Sequence, residues 1–251
     1  MNRFFIHLAY DGTPFHGWQR QPNGVSVQQR LEDALSMMLR TPVVLTGAGR
    51  TDSGVHAADF YAHFDFEAEL GDREREKLVF SLNSFLPEEI SVFSIFQVPL
   101  GAHARFSAIS RTYRYILTGV KNPFRNRFAQ FLYGPLDIEA MNRGAEIIKG
   151  YTDFTSFSKV DTDTATNLCC ISEACWNEEG NERVFTITAD RFLRNMVRAI
   201  VGTLLDVGRG KITPEDLRGI IESRDRCKAS DSAPAKGLIL YRIVYPEGVV
   251  R

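Results

Sequence analysis

The stretch GAGRTDSGVHA, residues 47 to 57, places a single acid, Asp52, among glycines and small polar residues. Arg50 stands two positions before it and His56 four after. Several chemistries use loops of this kind, and the residue types exclude most of them. Gly49-Arg50-Thr51-Asp52-Ser53-Gly54 has the glycine spacing of a P-loop, but Val55 and His56 stand where Lys and Ser/Thr are required. The loop also leads into a strand-like run, which supplies no helix N-terminus for an anion. Its spacing is not GxGxxG either, so no nucleotide cofactor is expected. His56 and His63 are seven apart on or beside that strand, which sends them to opposite faces, and no metal site is expected. A Ser53–His56 triad would need the GxSxG elbow that TDSGV does not provide. What remains is Asp52 as a solitary carboxylate. It is either a turn-former through an Asx hydrogen bond or a nucleophile kept ionised by a nearby arginine. Helical spacing from Phe192 to Val207 aligns Arg191, Arg194 or Asn195, and Arg198 opposite Met196, Ile200 and Leu204. That stripe is either a solvated face or the source of the partner.

Composition bounds the setting. The chain has 251 residues, 44% hydrophobic and 24% charged, with a net charge of −1. That length suits one large domain or two halves. No apolar run approaches the roughly 20 residues of a membrane span, and the N-terminal MNRFFIHLAYDG alternates like a strand rather than a signal segment. Cys169, Cys170, Cys175 and Cys227 show no CxxC spacing, which suits a reducing cytoplasm. The charge is unevenly spread. No Asp or Glu occurs from Ile90 to Leu136, where the average of 31 acids in 251 residues would give about six. Arg105, Arg111, Arg114, Lys121, Arg125 and Arg127 lie in that stretch, interleaved with Phe106, Tyr113, Tyr115, Phe124, Phe128 and Phe131. Cations alternating with aromatics favour a polyanion over a merely solvated face.

Patterning then gives the elements that must position these residues. Arg3–Tyr10 reads as a strand, and Ser26 with Gln29 as a capping box opening a helix that Thr41-Pro42 stops. Pro42–Leu45 reads as a short strand, and Phe60–Phe66 alternates like a half-buried one. A helix over Arg73–Phe85 and a strand over Ile90–Val98 complete β-α-β-β-α-β. The order repeats: strand Arg111–Thr118, helix Ile138–Lys149, hairpin Leu168–Trp176 with Arg183–Ala189, helix Phe192–Val207, a short helix Pro214–Glu222 behind Thr213, and strand Leu238–Tyr245. A polar loop occupies 158 to 167. The expected architecture is α/β (α+β), two tandem split β-α-β, ferredoxin-like halves over residues 1–104 and 105–251.

The chain resembles the tRNA pseudouridine synthase A family nearly end to end. The resemblance rests on YDGTPFHGWQRQ (10 to 21), SVQQRLEDAL (26 to 35), GAGRTDSGVHA, HARFSA (103 to 108), RTYRY (111 to 115), DFTSF (153 to 157), FLRNMVRAIVG (192 to 202) and GLILYRIVYP (237 to 246). Thr112 stands where a second arginine is common and Ser53 where alanine is common, and 158 to 175 matches poorly. The resemblance implies the pseudouridine synthase fold with a basic cleft between its halves, a homodimer, and isomerisation of uridine at positions 38, 39 and 40 in the anticodon stem-loop of tRNA. It implies Asp52 as catalytic nucleophile, Arg198 as its charged partner, Tyr113 as the residue contacting the base, and Arg50 as the residue that helps lead the nucleotide out of the stack. Arg105, Arg111 and Arg114 are the expected substrate-binding cations of the acid-free stretch. No metal or cofactor is implied, because the reaction involves no net redox and no hydrolysis. A non-catalytic RNA-binding module would carry an aromatic RNP-type strand motif, which is absent. A glycosidase would pair a second acid with Asp52, and the loop has none.

Overall fold

A computed structural model of the chain describes residues 1–159 and 166–250; residues 160–165 of the polar loop, and residue 251, lie outside the described residues. In chain order the elements are β1 (Asn2–Tyr10), α1 (Val27–Leu39), β2 (Thr46–Gly47), β3 (His56–Phe66), α2 (Asp72–Phe85), β4 (Ile90–Val98), β5 (Ser110–Thr118), β6 (Gln130–Phe131), α3 (Ile138–Lys149), β7 (Ile171–Glu179), β8 (Glu182–Ala189), α4 (Met196–Gly208), α5 (Pro214–Ser223) and β9 (Leu238–Val244). This is a mixed α/β protein. Among the described residues no helix is long and apolar enough to cross a membrane. The chain divides into two compact units, one of Met1–Ile109 together with the chain from Leu240 on, the other of Ser110–Ile239.

In the first unit the strand order is β4-β1-β3-β9, with β2 added to β3. Ser26 Oγ accepts the Gln29 N–H at 3.2 Å and so starts α1, which Arg40 ends in the left-handed region. One sheet face carries Phe4, Ile6 and Leu8 of β1 opposite Phe64, Ala62 and Phe60 of β3, all buried. Each fully buried side chain of this size contributes roughly 1.5–3 kcal/mol. α2 packs along β4, where Asn83 both donates to Val92 O and accepts from Val92 N.

The alternation of β3 predicts one buried face, yet the structure also buries the middle of the other. Tyr61 and His63 are buried along with their neighbours Phe60, Ala62 and Phe64. The cover is the segment after β4, which returns across this face. Ala104 N donates to His63 Nδ1 at 3.1 Å, and Tyr245 Oη donates to Ala104 O at 2.5 Å. Arg3 grips Asp65 with two bonds of 2.7 and 2.8 Å and reaches Ala102 O at 3.0 Å. His7 stacks flat on Tyr61 at 4.4 Å and bonds Asp59 at 2.8 Å. Aromatic and ionic residues here satisfy one another, so a face that reads as polar is interior.

In the second unit β8 lies between β5 and β7, all antiparallel, with β6 parallel to β5. α3 lies along β7, where Asn142 Nδ2 donates to Trp176 O and its Oδ1 accepts from Trp176 N. Thr213 caps α5 in a complete capping box. Three expectations shift. Residues 42–45 form no strand, and the ladder residues are Thr46 and Gly47, where pairing with β3 begins. β7 starts at Ile171, because Leu168 is engaged in an isolated bridge with Asp153. α4 starts at Met196, because Asn195 takes φ +64°, a left-handed conformation that a right-handed helix does not pass through. Arg191 and Arg194 therefore precede the helix, and the expected arginine stripe reduces to Arg198.

His63 has a consequence for stability. Burial first, and then the charges of Arg3 and His103, push its imidazole down from 6.5 to about 4. The unfolded chain takes up this proton more readily, so the contribution of the ring is fully present above the ordinary value and is lost as the pH falls towards 4. The unfolding free energy measured by urea titration should drop between about pH 6.5 and 4, and His63→Asn should make that slope shallower.

Candidate active site

The loop around Asp52 is an excursion between two paired strands. Gly47 is still in register with Ala62, and Ala48 N donates to Tyr61 O at 2.7 Å. The chain then leaves the sheet and rejoins it at His56. Between these points the backbone is held by the segment that follows β1. Trp18 N donates to Thr51 O at 3.3 Å, and the buried Thr51 hydroxyl pairs with Tyr10 Oη at 2.8 Å. Ser53 Oγ and Gly54 N both donate to Phe15 O, at 3.2 and 3.3 Å. Val55 N donates to Asp52 O at 3.1 Å, which closes a turn over 52–55, and Gly54 takes φ +76° within it.

Glycines permit this contact. A Cβ on Gly12 would lie 2.0 Å from Val55 O, and one on Gly17, where φ is +81°, would lie 2.3 Å from Thr51 O. A Cβ on Gly47 would lie 2.4 Å from Trp18 Nε1, so the indole occupies the space that this glycine leaves. Trp18 in turn packs on Phe60 at 4.2 Å. His56, 2% exposed, sits at the exit with Nδ1 at 3.0 Å from both Gly12 N and Asp11 Oδ1. With Nδ1 bare it accepts from Gly12; with Nδ1 protonated it donates to Asp11. Either bond ties the end of β1 to the start of β3.

This scaffold leaves Asp52 half-buried and Arg50 exposed on the same loop. Gly49 beside them faces open space, where a Cβ would meet nothing within 4 Å. Trp18, Tyr10, Gly12 and Gly17 are the residues that sequence reasoning did not connect to this loop. Their signal was present in YDGTPFHGW, a motif dense in glycine and aromatic residues, but nothing local says what it packs against.

The remaining expected site residues lie on other elements. Arg105 follows β4 in the first unit, exposed, with its guanidinium 5.5 Å from the centroid of the Phe106 ring. In the second unit Arg111, Tyr113 and Tyr115 share one face of β5, by strand period and by their partners Ala189, Ile187 and Phe185 on β8. Tyr113 meets Phe192 edge-on at 5.1 Å, and Arg111 Nη1 donates to Asp190 O at 2.9 Å. Arg114 points to the opposite face, where it is ion-paired with Glu179, so the structure does not bring it together with Tyr113. Thr112 on that face bonds Thr188 at 2.8 Å. Arg198 of α4 is aimed by its backbone surroundings. Its Nε donates to Ala233 O at 2.7 Å, and its own carbonyl accepts Ala233 N at 2.9 Å. The neighbouring Tyr115 Oη donates to Pro234 O at 2.9 Å, and burial raises this phenol well above its ordinary value, so it stays a donor. Two aromatic and two arginine side chains on this unit are thus held by backbone carbonyls and rings, with little freedom to reorient.

Comparison with known proteins gives these loops a context. One family, described as tRNA pseudouridine synthase, matches residues 6–107 and 145–246, a span that includes Asp52, the scaffold of its loop from Tyr10 to Trp18, and Arg198. A protein of Parabacteroides distasonis named tRNA pseudouridine synthase A is 54% identical over 250 residues, covering 98% of this chain and 97% of its own. One of the same name from Bacteroides thetaiotaomicron is 55% identical over 252 residues, covering 99% and 93%. A more distant one from Chlorobium luteolum is 40% identical over 248 residues, covering 98% and 97%. Matches at this identity, running from β1 through β9, leave no element outside the relationship: the chain belongs to the tRNA pseudouridine synthase family, and with it to the isomerases.

Proposed function

We propose that this protein isomerises uridine to pseudouridine at positions 38, 39 and 40 in the anticodon stem-loop of tRNA, with Asp52 as nucleophile and without a cofactor. The observation that carries the reading is the Asp52 loop. A half-buried carboxylate stands on a backbone fixed by the sheet on one side and by residues 10–18 on the other.

The chemistry explains why one carboxylate is enough. The N1–C1′ bond breaks, the base turns, and a C5–C1′ bond forms; the proton on C5 leaves and N1 gains one, so the formula is unchanged. The carboxylate oxygen serves by attack on C1′, by attack on C6, or on a glycal route, and each route needs it ionised. Arg198, held through Nε on Ala233 O, is the cation assigned to that task. Tyr113 is assigned to the face of the extruded base, and Arg50, exposed beside Asp52, to the nucleotide's path out of the stack. Extrusion costs a few kcal/mol, which stacking and arginine contacts offset. The same reading carries a homodimer and a cytoplasmic location.

Asp52→Asn keeps the side chain's size and most of its hydrogen-bond geometry while removing the charge. Pseudouridine formation should fall below detection, with tRNA affinity and folding near wild type. The readout is chromatography of nucleosides from digested tRNA beside a filter-binding titration. Arg198→Met should reproduce part of the loss. Wild-type conversion by Asp52→Asn would return Asp52 to a turn role, and a lost base rather than a shifted nucleoside would indicate glycosidic cleavage.

The basic stretch has its own test. Arg105→Gln and Arg111→Gln should each weaken tRNA binding and reduce the slope of log K against log salt by about one. Arg114→Gln should do less, since Glu179 already balances part of its charge. Slopes equal to wild type in all three would place the phosphates elsewhere.

A further inference from the structure

Residues 102–107 combine two buried positions, Ala102 and Ala104, with two exposed ones, Arg105 and Phe106, in one braced turn. His103 N donates to Ser107 Oγ and Ser107 N to His103 O, both at 2.9 Å, which closes the turn. His103 Nδ1 accepts the N–H groups of Arg105 and Phe106 at 3.1 and 3.2 Å. Ala104 is pinned from both sides, its N–H by His63 and its carbonyl by Tyr245. Arg3 holds the carbonyl of Ala102. What this frame presents is Phe106, whose residue surface is 75% exposed. Its ring lies 4.4 Å from that of His103 between centroids, tilted by 37°, and His103 meets His63 edge-on at 4.7 Å.

The frame covers β3 through the buried Ala102 and Ala104, but the Phe106 ring stands outside that cover, so the ring itself is presented rather than packed. The chemistry around the ring selects what is presented to. The turn lies in the stretch from Ile90 to Leu136 that holds no acid, and the neighbouring side chain is the Arg105 guanidinium. A flat aromatic partner carrying an anion beside it fits this pair, and an unstacked nucleotide has both parts.

We propose that Phe106 is a stacking platform for an unpaired base of the tRNA, with Arg105 contacting a phosphate of the same nucleotide. The proposal rests on the tRNA reading above and adds a residue to it. Stacking on a phenyl ring accepts any base, so the contact supplies affinity without choosing sequence. Because the platform is already formed, little ordering cost falls on binding.

The test uses Phe106→Leu, which keeps an apolar side chain but removes the π-face, and Phe106→Trp, which keeps it. Titration with an unmodified tRNA transcript should show Kd raised roughly tenfold in Phe106→Leu. KM for pseudouridine formation should rise in step, and the salt slope should match wild type. Phe106→Trp should bind like wild type, and its new indole emission should be quenched by tRNA. Trp18 and Trp176 are 1% and 2% exposed, so they contribute a steady background to that signal. Wild-type affinity in Phe106→Leu, absent quenching in Phe106→Trp, or equal weakening in both variants would overturn the platform. So would a fall in sedimenting mass in Phe106→Leu, which would mean that a second copy of the chain covers the ring. A wild-type enzyme that binds tRNA but makes no pseudouridine would overturn the catalytic reading alone, since the platform is judged by Kd.

Discussion

Backbone lies directly against backbone where residues 10–18 meet residues 47–57. Gly12 and Gly17 leave no side chain between the two segments, and Gly47 gives its place to the Trp18 indole. Hydrogen bonds from Trp18, Ser53 and Gly54 then cross at 3.2–3.3 Å. Everything assigned to Asp52 depends on this approach. A carboxylate on a hydrophilic loop would spread over many conformations, and each reacting geometry would be visited rarely. Here the cost of ordering the loop is met during folding, by burial of Trp18, Tyr10 and Phe60, rather than at each encounter with substrate. The turn stays close to the sheet, so its position follows the register of β1 with β3.

Imidazoles recur in this protein as backbone acceptors. His63, His103 and His56 each place Nδ1 within hydrogen-bond distance of a main-chain N–H, those of Ala104, of Arg105 and Phe106, and of Gly12. For His63 and His103, burial and nearby arginines disfavour the charged ring, which is the form that could not accept. A neutral ring is thereby a structural part, as much as a carbonyl would be. Arg198 shows the converse arrangement, a cation whose direction is set by a carbonyl at Ala233.

Much of the fold was legible. Ser26 and Thr213 each accept an N–H at the helix start that they announce, and the strands expected over β1, β4 and β8 form in the structure. The candidate site was legible as residue types in loops. Its frame was not, because Gly12 and Gly17 signal only that something comes close, and the partner lies some 40 residues along the chain. The start of α4 was missed because helical spacing continues through Asn195, whose left-handed backbone leaves no trace in hydrophobic periodicity. The second buried face of β3 was missed because its cover comes from residues 102–107 and Tyr245, remote in sequence. The separation of Arg114 from Tyr113 could have been read directly, since adjacent positions on a strand face opposite ways.

The first unit is assembled from both ends of the polypeptide. Its outer strand β9 arrives only after Ser110–Ile239 has been made, and it then supplies Ile243 N to Asp59 at 2.7 Å and Val244 O to Ile109 N at 2.8 Å. During synthesis at about 5–20 residues per second, β3 waits many seconds with one ladder edge met only by β2. The intervening unit has its strands and helices contiguous in the chain and so completes earlier. Translation therefore inverts the spatial order of the sequence: the segment bearing Asp52 emerges first and is closed last, and a ribosome that stalls before the final strand releases no finished enzyme.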